Sequence, residues 1–159
     1  MTDGSLTELR RKVIDNPNLS AWEVPRALSD VTDGFLSQLY ADEIHGDSGI
    51  ALVALGGYGR SELSPSSDLD LMLVHNERDD IDALADRIWY PLWDEGFKLG
   101  HSVRSVDQTL RLAATDLETA TSLLNARLVT GDSSLVEELL ARNELQWAGQ
   151  DSERLDELA

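Results

Sequence analysis

The sequence predicts an α+β domain, a small sheet with helices before, between and after its strands, and three observations lead to that class. An unbroken apolar run, Ile50 to Leu55, suits a strand buried on both faces, and the segment Leu69 to His75 (LDLMLVH) reads as a second strand. Stretches with apolar residues every three or four positions lie on both sides of them, as amphipathic helices require. A length of 159 residues, 42% hydrophobic content and four tryptophans are enough for one domain with a real core.

Three Ser-x-x-Glu capping boxes, at Ser5/Glu8, Ser20/Glu23 and Ser134/Glu137, predict helix starts. The first helix is short, because Asn16-Pro17-Asn18 ends it. Val24, Leu28, Val31, Phe35 and Leu39 mark one face of a long second helix running towards Ile44. Pro25 belongs in its first turn, which moves the start from Ser20 towards Glu23. A loop over His45 to Gly49 leads into the first strand. Between the two strands, residues 59 to 67 have room for a short helix that Pro65 stops. Ile81, Leu84, Ala85, Ile88, Leu92 and Trp93 define a helix over residues 80 to 93, and Gly96 separates it from a third strand, Phe97 to Val106. Helices are expected over residues 107 to 130, in one or two pieces, and over 134 to 147. No internal repeat or low-complexity linker interrupts the chain.

Composition excludes several functions. The absence of cysteine rules out disulfides and thiolate metal sites and fits a reducing compartment, so a cytoplasmic protein is expected. No apolar run approaches the roughly 20 residues of a membrane span, and the N-terminus has no signal-type apolar core. A formal net charge of -17 argues against a long nucleic-acid duplex as partner. A small nucleotide carrying Mg2+ is still compatible, because a local cation reverses the field at one site.

Residues 55 to 73, LGGYGRSELSPSSDLDLML, concentrate the chemistry. Alternation along a strand puts Asp68 and Asp70 on one face while Leu69 and Leu71 enter the core. Two carboxylates that close repel unless divalent cations lie between them, and Mg2+ favours a few carboxylates completed by water and phosphate oxygens. Gly56-Gly57, at the end of the preceding strand, lets backbone N-H groups approach a phosphate. Arg60 adds a charge-assisted contact to a phosphate oxygen, with Glu62 as its competing partner, and Ser61 or Ser67 adds a hydroxyl. Such a constellation suits nucleotidyl transfer, an in-line attack on the α-phosphorus of a nucleoside triphosphate. Arg104 is a further candidate for a phosphate. His101 reads as a packed structural residue, and Trp89 and Trp93, four apart on one helical face, read as core or interdomain packing.

The run G-G-Y-G-R-x-E-L-x-P-x-S-D-L-D-L at positions 56 to 71 resembles the nucleotidyltransferase motif of the polymerase-β-like superfamily. With residues 92 to 110 and 116 to 135, it resembles in particular the [protein-PII] uridylyltransferase family, over roughly residues 20 to 145. The resemblance implies a polymerase-β-like fold with a small mixed sheet, flanking helices and a helical C-terminal extension. It implies transfer of UMP from UTP to a tyrosine of the PII signalling protein, with release of pyrophosphate and a requirement for Mg2+ as two ions. Some relatives use ATP, so UTP and ATP both stand as donors. By position, Gly56 and Gly57 form the phosphate-binding turn, and Asp68 and Asp70 ligate metal, Asp70 bridging both ions. A third carboxylate is usual in the superfamily. Residues 100 to 104 supply none, which leaves Asp107, itself readable as a helix N-cap.

The organisation expected is an N-terminal helical segment (1-19), a nucleotidyltransferase domain with its helical extension (20-147) and a polar tail or linker start (148-159). Members of the family continue into HD hydrolase and ACT domains; the three histidines here form no His-Asp dipeptide, so the chain is expected to be the transferase part of a longer protein. The competing functional class is a regulatory module that binds nucleotide or PII without catalysis. A small nucleotidyltransferase acting on an antibiotic or a toxin target is a further alternative.

Overall fold

A computed structural model describes residues 4-46 and 49-149. Its elements are α1 (Leu6–Ile14), α2 (Val24–Glu43), β1 (Ile50–Ala54), α3 (Gly56–Gly59), β2 (Leu69–His75), α4 (Ile81–Asp94), β3 (Leu99–Ser105), α5 (Val106–Ala113), α6 (Leu117–Ser122), a 3-10 turn (Leu123–Asn125), β4 (Arg127–Gly131) and α7 (Ser133–Ala148). The strands form one mixed sheet in the order β3-β2-β1-β4, with β1 antiparallel to both neighbours and β2 parallel to β3. The α+β class expected from the sequence is the one found.

Strand alternation divides the core in two. Ile50, Leu52, Ala54, Leu69, Leu71 and Leu73 meet Leu6 of α1, Leu28 and Leu36 of α2 and Ile88 and Leu92 of α4. Ala51, Val53, Met72 and Val74 point the other way, onto Leu110 of α5, Leu123 and Leu135, Val136 and Leu139 of α7. Helices thus cover both faces, which is why β1 reads as a continuous apolar run and β2 as one broken only by Asp70 and the closing His75.

Ser5 and Glu8 form the complete predicted capping box at α1. Glu95, at the end of α4, also accepts from the Leu6 and Thr7 amides at 3.1 and 2.8 Å, which fastens α1 to a distant segment. The other two boxes start no helix. Ser20 and Glu23 bond each other within a turn, and α2 begins at Val24 with Pro25 in its first turn. At α7 the cap is Asp132, whose carboxylate takes the Ser134 amide and hydroxyl and also the Gly49 amide, so the helix starts two residues before the serine reading placed it. The buried stripe of α2 is rotated from the predicted one: Thr32, Leu36 and Tyr40 are buried, Val31 and Leu39 only partly. The Thr32 hydroxyl is accommodated by donating to Leu28 O at 2.7 Å.

Two corrections concern the site's surroundings. The short helix expected over 59 to 67 lies instead at Gly56–Gly59, directly after β1. There Gly56 takes φ +56°, and the Gly59 and Arg60 amides donate to Leu55 O and Gly56 O. Residues 127 to 130, assigned to a helix, form β4, so the C-terminal part is more than a helical extension. Leu123, Leu128 and the residues between them imitate helical spacing, but pairing of Leu128 with Val53 and of Thr130 with Leu52, across a bulge, completes the sheet. The tail from Gln150 on lies outside the described residues.

Leu139 of α7 is fully buried against the second sheet face. Leu139→Ala is therefore expected to cost about 2-5 kcal/mol, read as a lowered urea midpoint with an unchanged m-value. A dispensable tail helix would leave the midpoint where it was.

Candidate active site

β2 is a central strand whose residues are all buried except Asp70. Alternation places Asp70 on the face of Met72 and Val74, near the strand's start, where it borders a cleft of about 380 Å³ lined also by Gly56, Gly100, Ser102, Arg104, Asp116 and Thr119. Two glycines make room for its carboxylate. Gly56 at the end of β1 would carry a Cβ 3.0 Å from Asp70 Oδ2. Gly100, in register beside Asp70 on parallel β3, would carry one 2.3 Å from Oδ1. No real Cβ tolerates the second distance, so the cleft demands glycine at 100 for close approach.

The Asp70 carboxyl is pushed above the ordinary Asp range, first by burial and then by the charge of Asp68. Asp68 itself is exposed, immediately before the strand. No side-chain hydrogen bond or ion pair compensates Asp70 among the described residues. A half-buried, unpaired carboxylate beside a second carboxylate is a donor set that a hard divalent cation fits. Among the described residues no group of three or more His, Asp or Glu is assembled for a metal, so such an ion would complete its coordination with water or substrate oxygens.

The other predicted residues divide between the cleft and elsewhere. Arg104 borders the cleft, and its charge contributes to holding Asp116 below the usual carboxylate range, after the Thr119 hydroxyl and amide. Arg60 pairs with Glu62 at 2.9 Å, the competing partner named from sequence. The Ser67 hydroxyl meets the Ser64 hydroxyl and amide, closing the loop ahead of Asp68. A Cβ at Gly57 would find only ordinary contacts at 3.7 Å, so the chain's own packing does not require glycine there. Asp107 is not brought to Asp70. It lies one residue inside α5, which Ser105 caps, and pairs with Arg142 at 2.8 Å in a different, larger groove of about 620 Å³ between α5 and α7. Trp89 is core; Trp93 is half-exposed, edge-on to His101 at 5.2 Å, and His101 is itself exposed.

Several contributors carry no local signal in the sequence. Gly100 reads as an ordinary strand glycine until the parallel register sets it against Asp70. Asp116 and Glu118 also border the cleft, Asp116 as the N-cap of α6. Beneath the Gly-Gly turn, Arg127 of β4 donates to Asp33 of α2 at 2.6 and 3.2 Å, to Tyr58 O at 3.1 Å and to Gly59 O at 3.3 Å. The buried Tyr58 hydroxyl donates to Asp33 at 2.6 Å, and its pKa is driven far up by burial and then by Asp33. Arg10, buried on α1, donates to Ser64 O at 3.0 Å and lies over the Phe97 ring, anchoring the loop that carries Asp68.

An acid whose folded pKa lies above its unfolded value destabilises the fold wherever it is ionised. Asp70→Asn is accordingly expected to raise Tm at pH 7 by roughly 1-3 °C, the discounted scale for a partly exposed group in a domain of this size. The difference should shrink as pH falls through the raised value towards the ordinary Asp value of 3.8. Thermal melts of the metal-free protein from pH 4 to 8 check this; a variant less stable than wild type at pH 7 would contradict an uncompensated carboxylate.

No family model matches the chain. Curated relatives do. The bifunctional uridylyltransferase/uridylyl-removing enzyme of Streptomyces coelicolor is 49% identical over 135 residues, covering 84% of this chain and 16% of the relative. Proteins of the same name from Mycobacterium tuberculosis and Phenylobacterium zucineum are 44% and 39% identical, over 70% and 76% of this chain and 14% of their own length. The chain thus spans about one-sixth of the length of the curated relatives it matches. One chain of the crystal structure of the toxin-antitoxin pair MntA-HpeT aligns with 80% of this chain and 98% of its own, at 13% identity and a TM-score of 0.47. With 39-49% identity to these relatives over most of its residues, the chain belongs to the family of the bifunctional uridylyltransferase/uridylyl-removing enzymes, of which it matches one segment.

Proposed function

We propose that the cleft at Asp70 transfers a nucleoside monophosphate from a nucleoside triphosphate to a tyrosine hydroxyl of a PII signalling protein, with UTP as the first choice of donor and ATP as the alternative. The observation that carries the reading is the Asp70 carboxylate, set between Gly56 and Gly100 with no partner from the described residues. The uridylyltransferase name of the relatives supports the reaction class.

The tyrosine oxygen attacks the α-phosphorus, the bond from that phosphorus to the bridging oxygen of the β-phosphate breaks, and pyrophosphate leaves. The hydroxyl proton is lost, which at neutral pH needs help because the free phenol titrates near 10. Asp68 and Asp70 would hold Mg2+, which supplies charge neutralisation of the triphosphate and activation of the acceptor oxygen. The amides at the start of the Gly56 turn would be available to phosphate oxygens. Arg104 borders the same space and adds positive charge. Burial of Asp70 keeps its charge in a region of reduced dielectric, where each electrostatic contact counts for more than in water.

The test is the intact mass of a PII-type protein after incubation with the chain, Mg2+ and equal UTP and ATP. Addition of one uridylyl or adenylyl group is expected, with Asp68→Asn and Asp70→Asn slower by about 10²-10⁴. No addition, with nucleotide binding retained, would make the chain a binding module. Gly100→Ala adds an independent check: a methyl that displaces the Asp70 carboxylate should lower kcat by about 10²-fold, the scale of an ångström-size misplacement. Activity near wild type in that variant would remove Asp70 from the reaction.

A further inference from the structure

We propose that Arg127, acting with Asp33 and Tyr58, is a positioning residue that fixes the Gly56–Gly59 turn against Asp70 and thereby sets nucleotide affinity. The inference rests on the reading of the cleft as a nucleotide site and extends it to side chains that border none of it.

The turn is held from one side and faces the cleft on the other. On the cleft side, Gly56 approaches Asp70 within the reach of a single methyl. On the opposite side, a Cβ on Gly59 would strike Asn125 O at 2.0 Å and Ala54 O at 3.0 Å, so the turn lies directly on the backbone leading into β4. Arg127 is the first residue of β4 and pairs with Ala54, the last residue of β1. Its guanidinium spends two contacts on the Tyr58 and Gly59 carbonyls and two on Asp33. Asp33 in turn takes the Tyr58 hydroxyl, and the guanidinium lies 5.3 Å from the Tyr58 ring centre. Both ends of residue 58 are therefore gripped by the same ion pair, its carbonyl by Arg127 and its hydroxyl by Asp33.

Packing alone does not explain this arrangement. An apolar plug between α2 and β4 would stabilise at least as well as a partly buried ion pair, which must recover its desolvation cost. A planar fork, by contrast, defines direction: it reaches two carbonyls and a carboxylate at once, which a lysine ammonium cannot do. The carbonyls it reaches belong to the turn, one and two residues beyond the glycine pair. A shift of that turn moves the Gly56 amide and the wall of the Asp70 notch together.

The experiment uses the 159-residue chain. Mg-UTP and Mg-ATP binding is measured by calorimetry for wild type, Arg127→Lys, Tyr58→Phe and Leu139→Ala, each at a temperature where it is folded, with hydrogen exchange of the residue 56-60 amides in the absence of nucleotide. Arg127→Lys should weaken nucleotide binding about tenfold, the scale of one lost charge-assisted hydrogen bond. Exchange at 56-60 should quicken. Tyr58→Phe should act in the same direction and less than additively with Arg127→Lys, because both belong to one network. Leu139→Ala, destabilised through the core, should leave Kd and local exchange unchanged. If Arg127→Lys behaves like Leu139→Ala, losing stability with Kd and exchange at 56-60 as in wild type, the inference is overturned while the nucleotide site stands. Should Arg127→Lys fail to fold, Tyr58→Phe decides by the same two readouts. A wild-type chain that binds neither nucleotide overturns the site and the inference together.

Discussion

The arrangement depends on a charge placed near the start of a strand that is apolar from Leu71 to Val74. β2 is flanked by β1 and β3 and covered on both faces, and such a strand accepts a carboxylate only near its end, where one face opens. Asp70 occupies that position. Its neighbour on β3 is Gly100, Gly56 at the start of α3 leaves room on the other side, and its own backbone carbonyl still accepts the Leu55 amide at 2.9 Å, so the ladder continues past it. The sheet supplies rigidity and the glycines supply space. The raised pKa is the signature of a fold that leaves this group uncompensated, a local loss of stability of the kind that persists where chemistry needs it.

Elements far apart in sequence create that opening. The first face of the sheet is closed by α1, α2 and α4. The second is closed only when α5, α6 and α7 arrive, and β4 must pair with β1 before the turn at Gly56 acquires its support from Arg127. The cleft is bounded on one side by residues 55 and 56 and on the other by 100 to 104 and 112 to 122. Contacts of such sequence separation are entropically expensive to close. Glu95 on the first amides of α1 and Asp132 on the Gly49 amide are the same device at smaller scale, carboxylates that join segments more than 80 residues apart.

What the sequence revealed follows from the range of each signal. β1 and β2 were legible because burial on both faces writes itself as an apolar run, broken in β2 only by Asp70 and the closing His75, and α4 because its periodicity is uninterrupted. The placement of Asp70 within β2 and of Gly56 in a tight turn was legible because strand alternation and a positive φ are local properties, whereas Asp68 lies exposed just before the strand. β4 was not: Arg127 to Gly131 is short, only partly buried, and preceded by leucines at helical spacing, so its partner β1 decides its conformation. The capping boxes at Ser20 and Ser134 failed for a related reason, since a competing carboxylate or a turn took the hydrogen bonds that the motif assigns to a helix. Gly100 needed the β2-β3 register. The Asp33, Tyr58 and Arg127 network needed three elements at once, and no spacing within a single segment encodes it.

The electrostatics of the chain work at two ranges in opposite senses. A formal charge of -17 would repel a triphosphate at a distance, so long-range steering would not deliver the proposed substrate. Attraction has to arise within a few ångströms, and the positive groups near the cleft are few: Arg104 on its border and Arg60, which Glu62 already engages. Asp70 and Asp68 would add further repulsion if they met phosphate directly. The same two carboxylates become favourable only when a divalent cation stands between them and the phosphates, because the ion then carries the largest local charge. For the proposed nucleotide site, the acidic surface would disfavour bare polyanions while the two carboxylates would favour a nucleotide that arrives with its metal. The precision of the Gly56 turn matters all the more, since backbone amides held in one orientation are the remaining source of positive potential that does not depend on a charged side chain.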